Sequence, residues 1–411
     1  MTINADDVSS IQRQGALQGL RVVDISRVLG GPLAAQILAD HGADVIKVEP
    51  PLGDETREWG PPFVGDASAY FLNVNRNKRA LSLDLSRSEG REVLMRLLAE
   101  ADVLIENFKP GSMEKWGLGY DVLSKKFPRL IHASVTGFGK DGPFGGYPGY
   151  DLMAQAWTGL VSINGAPESG PLRMGVPLID MATGSNAVIG ILLSLYERER
   201  SGLGQHVDLT LYDTGISLLH PHAPNYFMSG KVPGLTGNAH PSISPYSMHR
   251  TKGLPLFITV GNDRQFAALC QVIGRPEIAD DPRFTNNALR IKNRTALTEA
   301  LEDAMKDSDG EELAMKMMDA GVGGGAVQPV DKALSHPHTL HRKMVVKIGD
   351  YQGTGIPVKL SRTPGSVYSS PPEYGQHSDQ ILSEAGYELE QITELAEKGI
   401  VPRERRRHVA K

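Results

Sequence analysis

The chain has 411 residues, 45 of them glycine and 27 proline, with one cysteine and a formal net charge of −5. A lone cysteine excludes an intramolecular disulfide, a cysteine-based zinc site and an iron–sulfur cluster, so a reducing, cytoplasmic setting is the expectation. The mild negative charge offers no general attraction for nucleic acid, and the apolar run Ala187–Tyr196 is too short to span a bilayer, so no membrane partner is expected. Residues 1–16 read as a polar arm without the apolar core of a signal peptide. From Leu17 the pattern is that of β-α units. RVVDI (Arg21–Ile25) reads as a strand, and a helix follows with Pro32 at its first position and Gly42 after its end. DVIKVE (Asp44–Glu49) reads as the next strand. Such a unit demands a right-handed crossover and a parallel sheet.

The pattern continues with a strand at Leu81–Leu85 and a helix opened by a Ser86/Glu89 capping box. Strands at Asp102–Glu106 and Leu130–Val135 flank a short helix near Tyr120–Phe127. Helices are expected over Asp151–Ile163 and Thr183–Arg200, then a strand at Gln205–Leu211 and a helix at Asp213–Met228. Composition turns rich in Gly, Pro, Ser and His over residues 231–255. Beyond it lie a strand at Phe257–Val260 and amphipathic helices at Arg294–Lys306 and Glu311–Ala320. The fold class is therefore α/β. A smaller α+β domain follows after about Lys231, residues 345–380 are turn-rich, and final helices lie over Asp379–Lys398. The tail RERRRHVAK reads as a solvated end rather than a nucleic-acid arm.

P-loop, zincin, C-x-x-C and G-x-S-x-G signatures are absent. Gly137, Gly139 and Gly142 match G-x-G-x-x-G after a strand. However, Pro143, Gly145, Gly146, Pro148 and Gly149 follow where a helix must open, so the dinucleotide reading fails. Gly321, Gly323 and Ala326 form a weaker match read as a turn. His220 with His222, and His336, His338 and His341, lie in H-P-H strings that do not converge as a metal site would, so no metal is expected. The basic strip Arg76, Lys78 and Arg79, preceded by Tyr70–Phe71, reads either as a solvated loop or as a phosphate clamp. In VPLIDMATG a single carboxylate, Asp180, lies among apolar residues at a strand-to-helix junction. It is either a helix cap or a nucleophile that attacks an activated acyl group.

Several strings in order resemble one family, the class III CoA-transferases (CaiB/BaiF, formyl-CoA transferase-like). They include LQGLRVVDISRVLGGPLAAQILADHGADVIKVEPPLGDETR, NRNKRALSLDL, ADVLIENFKPGSMEKWGL, GVPLIDMATG and RSGLGQHVDLTLYD. The resemblance spans residues 17 to about 400. It implies a Rossmann-like large domain over residues 17–230, a linker and inserted small domain over 231–335, residues 336–411 returning to complete the large domain, and a homodimer whose chains interlock. It implies CoA thioesters and small carboxylates as partners, with coenzyme A as a substrate and no tightly bound cofactor.

The resemblance places Asp180 at the catalytic aspartate. It implies attack on the acyl-CoA thioester, a mixed anhydride, an aspartyl-CoA thioester and transfer of CoA to the acceptor acid. Backbone amides of a glycine loop serve the developing oxyanions, with Gly237 and Asn238 as candidates and an ordinary turn as the alternative. CoA positions map onto Val28, Leu83, Asn107, Phe108 and Lys115, to which Arg79 is added from the basic strip. For Leu83 and Phe108 core packing is the alternative, and for Lys115 surface charge.

Two departures bear on substrate. Leu29 stands where formyl-CoA transferases have glutamine, which argues against oxalate and formate. Tyr150 stands where α-methylacyl-CoA racemases have their histidine base. A tyrosine of ordinary pKa ~10 is a poor base at neutral pH, so racemisation is disfavoured. The expected function is transfer of CoA to a small or medium carboxylate, possibly a dicarboxylate such as succinate. Arg173, His240 and Ser242 are polar residues available for a second carboxylate. A racemase is the alternative, and a silent CoA-binding protein or a nicotinamide oxidoreductase stands further off. Cys270 is read as a buried residue on a helix of the small domain.

Overall fold

The computed structural model describes residues 14–406 and divides them into two compact units. Most of the proposed arm and the end of the basic tail lie outside the described residues. The first unit takes the chain up to Thr158, Gly175–His220 and the chain from Leu340. The second takes Gly159–Met174 and Pro221–Thr339. The crossing into the second unit thus falls at residue 220 rather than 230, and the short segment 159–174 goes with it.

The first unit is built on a six-stranded parallel sheet. Its strands are β1 (Arg21–Asp24), β2 (Asp44–Glu49), β3 (Lys78–Ser82), β4 (Val103–Glu106), β5 (Ile131–Thr136) and β6 (His206–Thr210), in the order β6-β5-β4-β1-β2-β3. Successive residues point to opposite faces, and both faces are apolar, as a sheet covered on both sides requires. Val22, Val45, Val103, Ile105, Ile131 and Val135 pack with Ala34, Ala35 and Leu38 of α1 (Gly30–Asp40) and with Ala187 and Ile191 of the long helix that ends at Ser201. Val23, Ile46, Leu81, Leu83 and Leu104 meet Val93, Leu94 and Leu97 of α2 (Ser88–Leu98) and, from the end of the chain, Ile381, Leu382 and Ile392. The C-terminal segment therefore completes the core of this unit.

Several boundaries move from their expected places. Pro32 is the third residue of α1, not the first. The Ser86/Glu89 capping box does not form: Ser86 bonds to Asp84, and α2 starts after Arg87 without a side-chain cap. The helix expected over 151–163 is cut by Gly159 at φ 86°, leaving α3 (Asp151–Trp157) and a single turn, Leu160–Ile163. That φ value suits glycine and breaks the α-helical run. The long helix starts five residues early, as α4 (Leu178–Ser201). It is long and apolar enough to cross a membrane by length and composition alone, and in this unit it packs on α1 and the sheet.

The second unit has a three-stranded antiparallel sheet of β7 (Tyr246–His249), β8 (Leu256–Thr259) and β9 (Gly323–Ala326). The glycines of β9, expected to form a turn, are a strand. A side chain at Gly324 would strike Met317 of the helix Gly310–Asp319, so glycine lets that helix close on the sheet. Cys270 is buried on the helix Asp263–Val272, among Phe266, Leu301 and Met305, and burial pushes its thiol up to about 12.

Candidate active site

The start of α4 is held by a residue distant in sequence. Pro177 precedes the helix and offers no side-chain cap. Instead Asp151, the first residue of α3, presents Oδ2 to the N–H groups of Ile179 at 2.8 Å and Asp180 at 3.1 Å. This fills two of the orphan donors of a helix N-terminus with a buried carboxylate. Asp180 therefore lies in the first turn of α4, not at a strand-to-helix junction. Burial pushes its carboxyl up, and the charge of Asp151 adds to the effect, to about 7.

Glycines bring α1 against this carboxyl. A Cβ at Gly30 would lie 3.9 Å from Asp180 Oδ1, and a Cβ at Gly184 would lie 2.7 Å from the Gly30 carbonyl oxygen. The first turn of α1 has no side-chain cap. Its N–H groups thus supply positive dipole at that end.

Leu29, Leu33, Pro177 and Met181, flanking Asp180, line part of a cleft of about 2130 Å³ that runs past Trp59 and Tyr70. The two rings meet edge to face with centroids 5.2 Å apart. Burial, then the charges of Asp180, Asp151 and Asp54, push the Tyr70 phenol up to about 12. It stays protonated and offers a hydrogen-bond donor to this cleft. Sequence reasoning treated Tyr70 only as a flank of the basic strip, because nothing local ties it to Asp180.

The loops after β1 and β4 meet where the strand order reverses, the crevice in which open α/β sheets hold ligands. Asn107 spans them: its Oδ1 accepts the Arg27 N–H at 2.8 Å and its Nδ2 donates to the Arg27 carbonyl at 2.6 Å. The next residue, Val28, has φ 71°, a rare state for a β-branched side chain, held with the help of Asp54 Oδ1. Phe108 lies half-buried beside Trp116, rings edge to face at 5.1 Å. Asn107, Phe108 and Val28 thus gather at one crevice, with Asn107 committed to the backbone of the turn.

Other candidates fall elsewhere. Arg79 is buried and committed to Asp44 at 2.7 Å and to Glu384 at 2.8 Å, so its fork is not open to a phosphate. Arg76 pairs with Asp40 at 2.7 Å, and Lys78 with Asp24 at 2.9 Å. The basic strip is neither a solvated loop nor a clamp: it is the edge of a buried ion-pair network that also includes Lys47–Asp54 and Arg57–Glu49. Burial pushes the Lys78 ammonium down to about 8, against the pull of Asp24. Burial would raise Asp54, but Lys47 and the hydrogen bonds from Thr56 together hold the carboxyl down at about 2. The Leu83 side chain is in the core and cannot touch a ligand. Lys115 and Tyr150 are exposed. Gly237 and Asn238 belong to the second unit, where the Gly237 N–H donates to the Gly165 carbonyl at 2.9 Å. Among the described residues no three His, Cys, Asp or Glu side chains gather as a metal site would.

Comparison with known proteins gives the family. The model of "CoA-transferase family III" matches residues 17–378. The succinate–glutarate CoA-transferase of Agrobacterium fabrum is 39% identical over 384 residues, covering 90% of this chain and 96% of that protein. The acetyl-CoA:oxalate CoA-transferase of Acetobacter aceti is 41% identical over 350 residues, 85% of this chain and 90% of that one. The crystal structure of a CaiB/BaiF family protein from Brucella suis superposes with a TM-score of 0.83 at 41% identity, covering 90% of this chain and all of that one. An α/β sheet with a desolvated carboxyl at its crevice, matched along nearly its whole length, places this chain in CoA-transferase family III, as an enzyme that moves coenzyme A between carboxylic acids.

Proposed function

We propose that Asp180 is the nucleophile and carries CoA as an aspartyl thioester. The observation that carries this is a carboxyl pushed up to about 7 beside the uncapped end of α1. A carboxylate poorly stabilised by its surroundings is a stronger nucleophile than a solvated one. An Asp180 oxygen adds to the thioester carbonyl; the C–S bond breaks and CoA leaves as thiolate. The thiolate attacks the Asp180 carbonyl of the mixed anhydride, its C–O bond breaks, and the donor acid departs. The acceptor carboxylate then attacks the aspartyl thioester and expels thiolate. Thiolate takes the acceptor acyl group from the new anhydride, which restores the Asp180 carboxylate.

The acceptor is a dicarboxylate in this reading. Support comes from the relative whose name carries succinate and glutarate; oxalate, in the name of another relative, is the acid that Leu29 argues against. A homodimer in a cytoplasmic setting completes the reading; the homodimer is supported by an exposed apolar stripe along α4 that includes Ile189, Leu192, Leu193 and Tyr196. The test is trapping. Incubation with succinyl-CoA followed by hydroxylamine should convert Asp180 to its hydroxamate, found by peptide mass spectrometry and absent from Asp180→Asn. An unmodified Asp180 in an enzyme that turns over would reject covalent catalysis.

A further inference from the structure

The crevice between the loops after β1 and β4 contains a cation that the reading above leaves without a task. Arg27 is half-buried. Its backbone is clamped on both sides by Asn107, and its guanidinium carbon stands 5.9 Å from the centroid of the Phe108 ring. Its Nε is buried with no hydrogen-bond partner. Among the described residues no carboxylate stands within ion-pairing distance of it. The other cations of this region contrast with it: Lys47, Arg57, Arg76, Lys78 and Arg79 each hold a carboxylate.

An arginine whose buried donor goes unused costs free energy, and a planar fork laid by an aromatic face is pre-organised for an oxyanion. The turn that carries it is also built at expense, since Val28 takes a left-handed conformation directly after it. Phe108 is fixed in turn, its N–H donating to Glu106 Oε2 at 2.7 Å. The backbones that carry cation and ring are therefore held without a ligand. Both lie at the reversal of strand order, where nucleotides bind to open α/β sheets.

We propose that Arg27 binds a phosphate group of coenzyme A, donating from its guanidinium to phosphate oxygens while Phe108 forms a wall beside the nucleotide. This takes over the role first assigned to Arg79, whose donors are spent on Asp44 and Glu384. The inference rests on the reading of this crevice as the CoA site.

The test measures affinity of wild type, Arg27→Gln and Arg27→Lys for CoA, dephospho-CoA and pantetheine by titration calorimetry. The expected result is a loss of CoA affinity of about tenfold or more in Arg27→Gln, with pantetheine affinity unchanged and Arg27→Lys in between. Loss for CoA but not dephospho-CoA assigns the ribose phosphate; loss for both assigns the pyrophosphate; either supports the proposal. An equal loss for all three ligands indicates a structural role and overturns it, as does unchanged CoA affinity. Failure of wild type to bind CoA overturns the reading of the crevice itself. Pantetheine affinity and a thermal melt of each variant separate these outcomes from misfolding.

Discussion

At the residue scale, the central pair is Asp180 and Asp151. The Asp151 carboxylate holds the first turn of α4 and pushes its neighbour's carboxyl up. Two consequences follow for pH. The nucleophile needs the ionised form, so kcat/KM should rise with pH and level off above about 7. Asp151→Asn keeps an oxygen for the two N–H groups but removes the charge. It should move this acidic limb to lower pH, read from the pH profile; an unmoved limb would show that Asp151 does not contribute to it. For stability, the folded-state value lies above that of the unfolded chain. The folded protein therefore binds the extra proton between about pH 4 and 7, and the cost of the charge is complete only above 7. Asp180→Asn should raise the Tm more at pH 8 than at pH 5. A gain independent of pH would mean that the buried charge carries no such cost.

At the element scale, the site depends on how closely α1 meets α4. Gly184 is the point of contact, and a Cβ there would lie 2.7 Å from the Gly30 carbonyl. Alanine improves helix propensity by about 1 kcal/mol at an exposed position. Here the obstacle is backbone, which cannot rotate aside. Overpacking of this kind costs about 1–3 kcal/mol, so Gly184→Ala should lower the Tm. Because Gly30 also borders Asp180, kcat should fall as well; a variant with raised Tm and normal kcat would show that the helices have room. Much of this layer was legible in the sequence. Strands β1, β2, β4, β5 and β6 follow from short apolar runs, and β2 falls on its expected residues. Strand β3 was read three residues late. Lys78 and Arg79 looked like a loop because their partners, Asp24 and Asp44, are far away in the chain. The start of α4 was missed for the same reason, as its cap lies 29 residues upstream. A local pattern reports apolar periodicity; it does not report a charge satisfied from another element.

At the scale of the whole molecule, the composition shift after residue 230 marks a change of architecture, while the insertion of the second unit into the first came from the family resemblance. The sequence did not reveal that Gly159–Met174 joins that second unit. Nor did it show which face of α4 is left uncovered. Ala187 and Ile191 point to the sheet, whereas Ile189, Leu193 and Tyr196 are exposed, Leu193 at 64% and Tyr196 at 70%. Such a stripe is rarely left to water, and a second copy of the chain is the occupant consistent with the homodimer proposed above. Ile189→Lys with Leu193→Lys tests this without disturbing the fold of one chain. Both side chains stand clear of the unit's own core, where surface substitutions change stability by only about 0.5 kcal/mol. Burying two ammonium groups in an apolar interface is far costlier. Light scattering should therefore report a dimer for the wild type and a single-chain mass for the double variant, with far-UV circular dichroism unchanged. A single-chain mass for the wild type, or a dimer that survives both lysines, would place the subunit contact elsewhere or remove it.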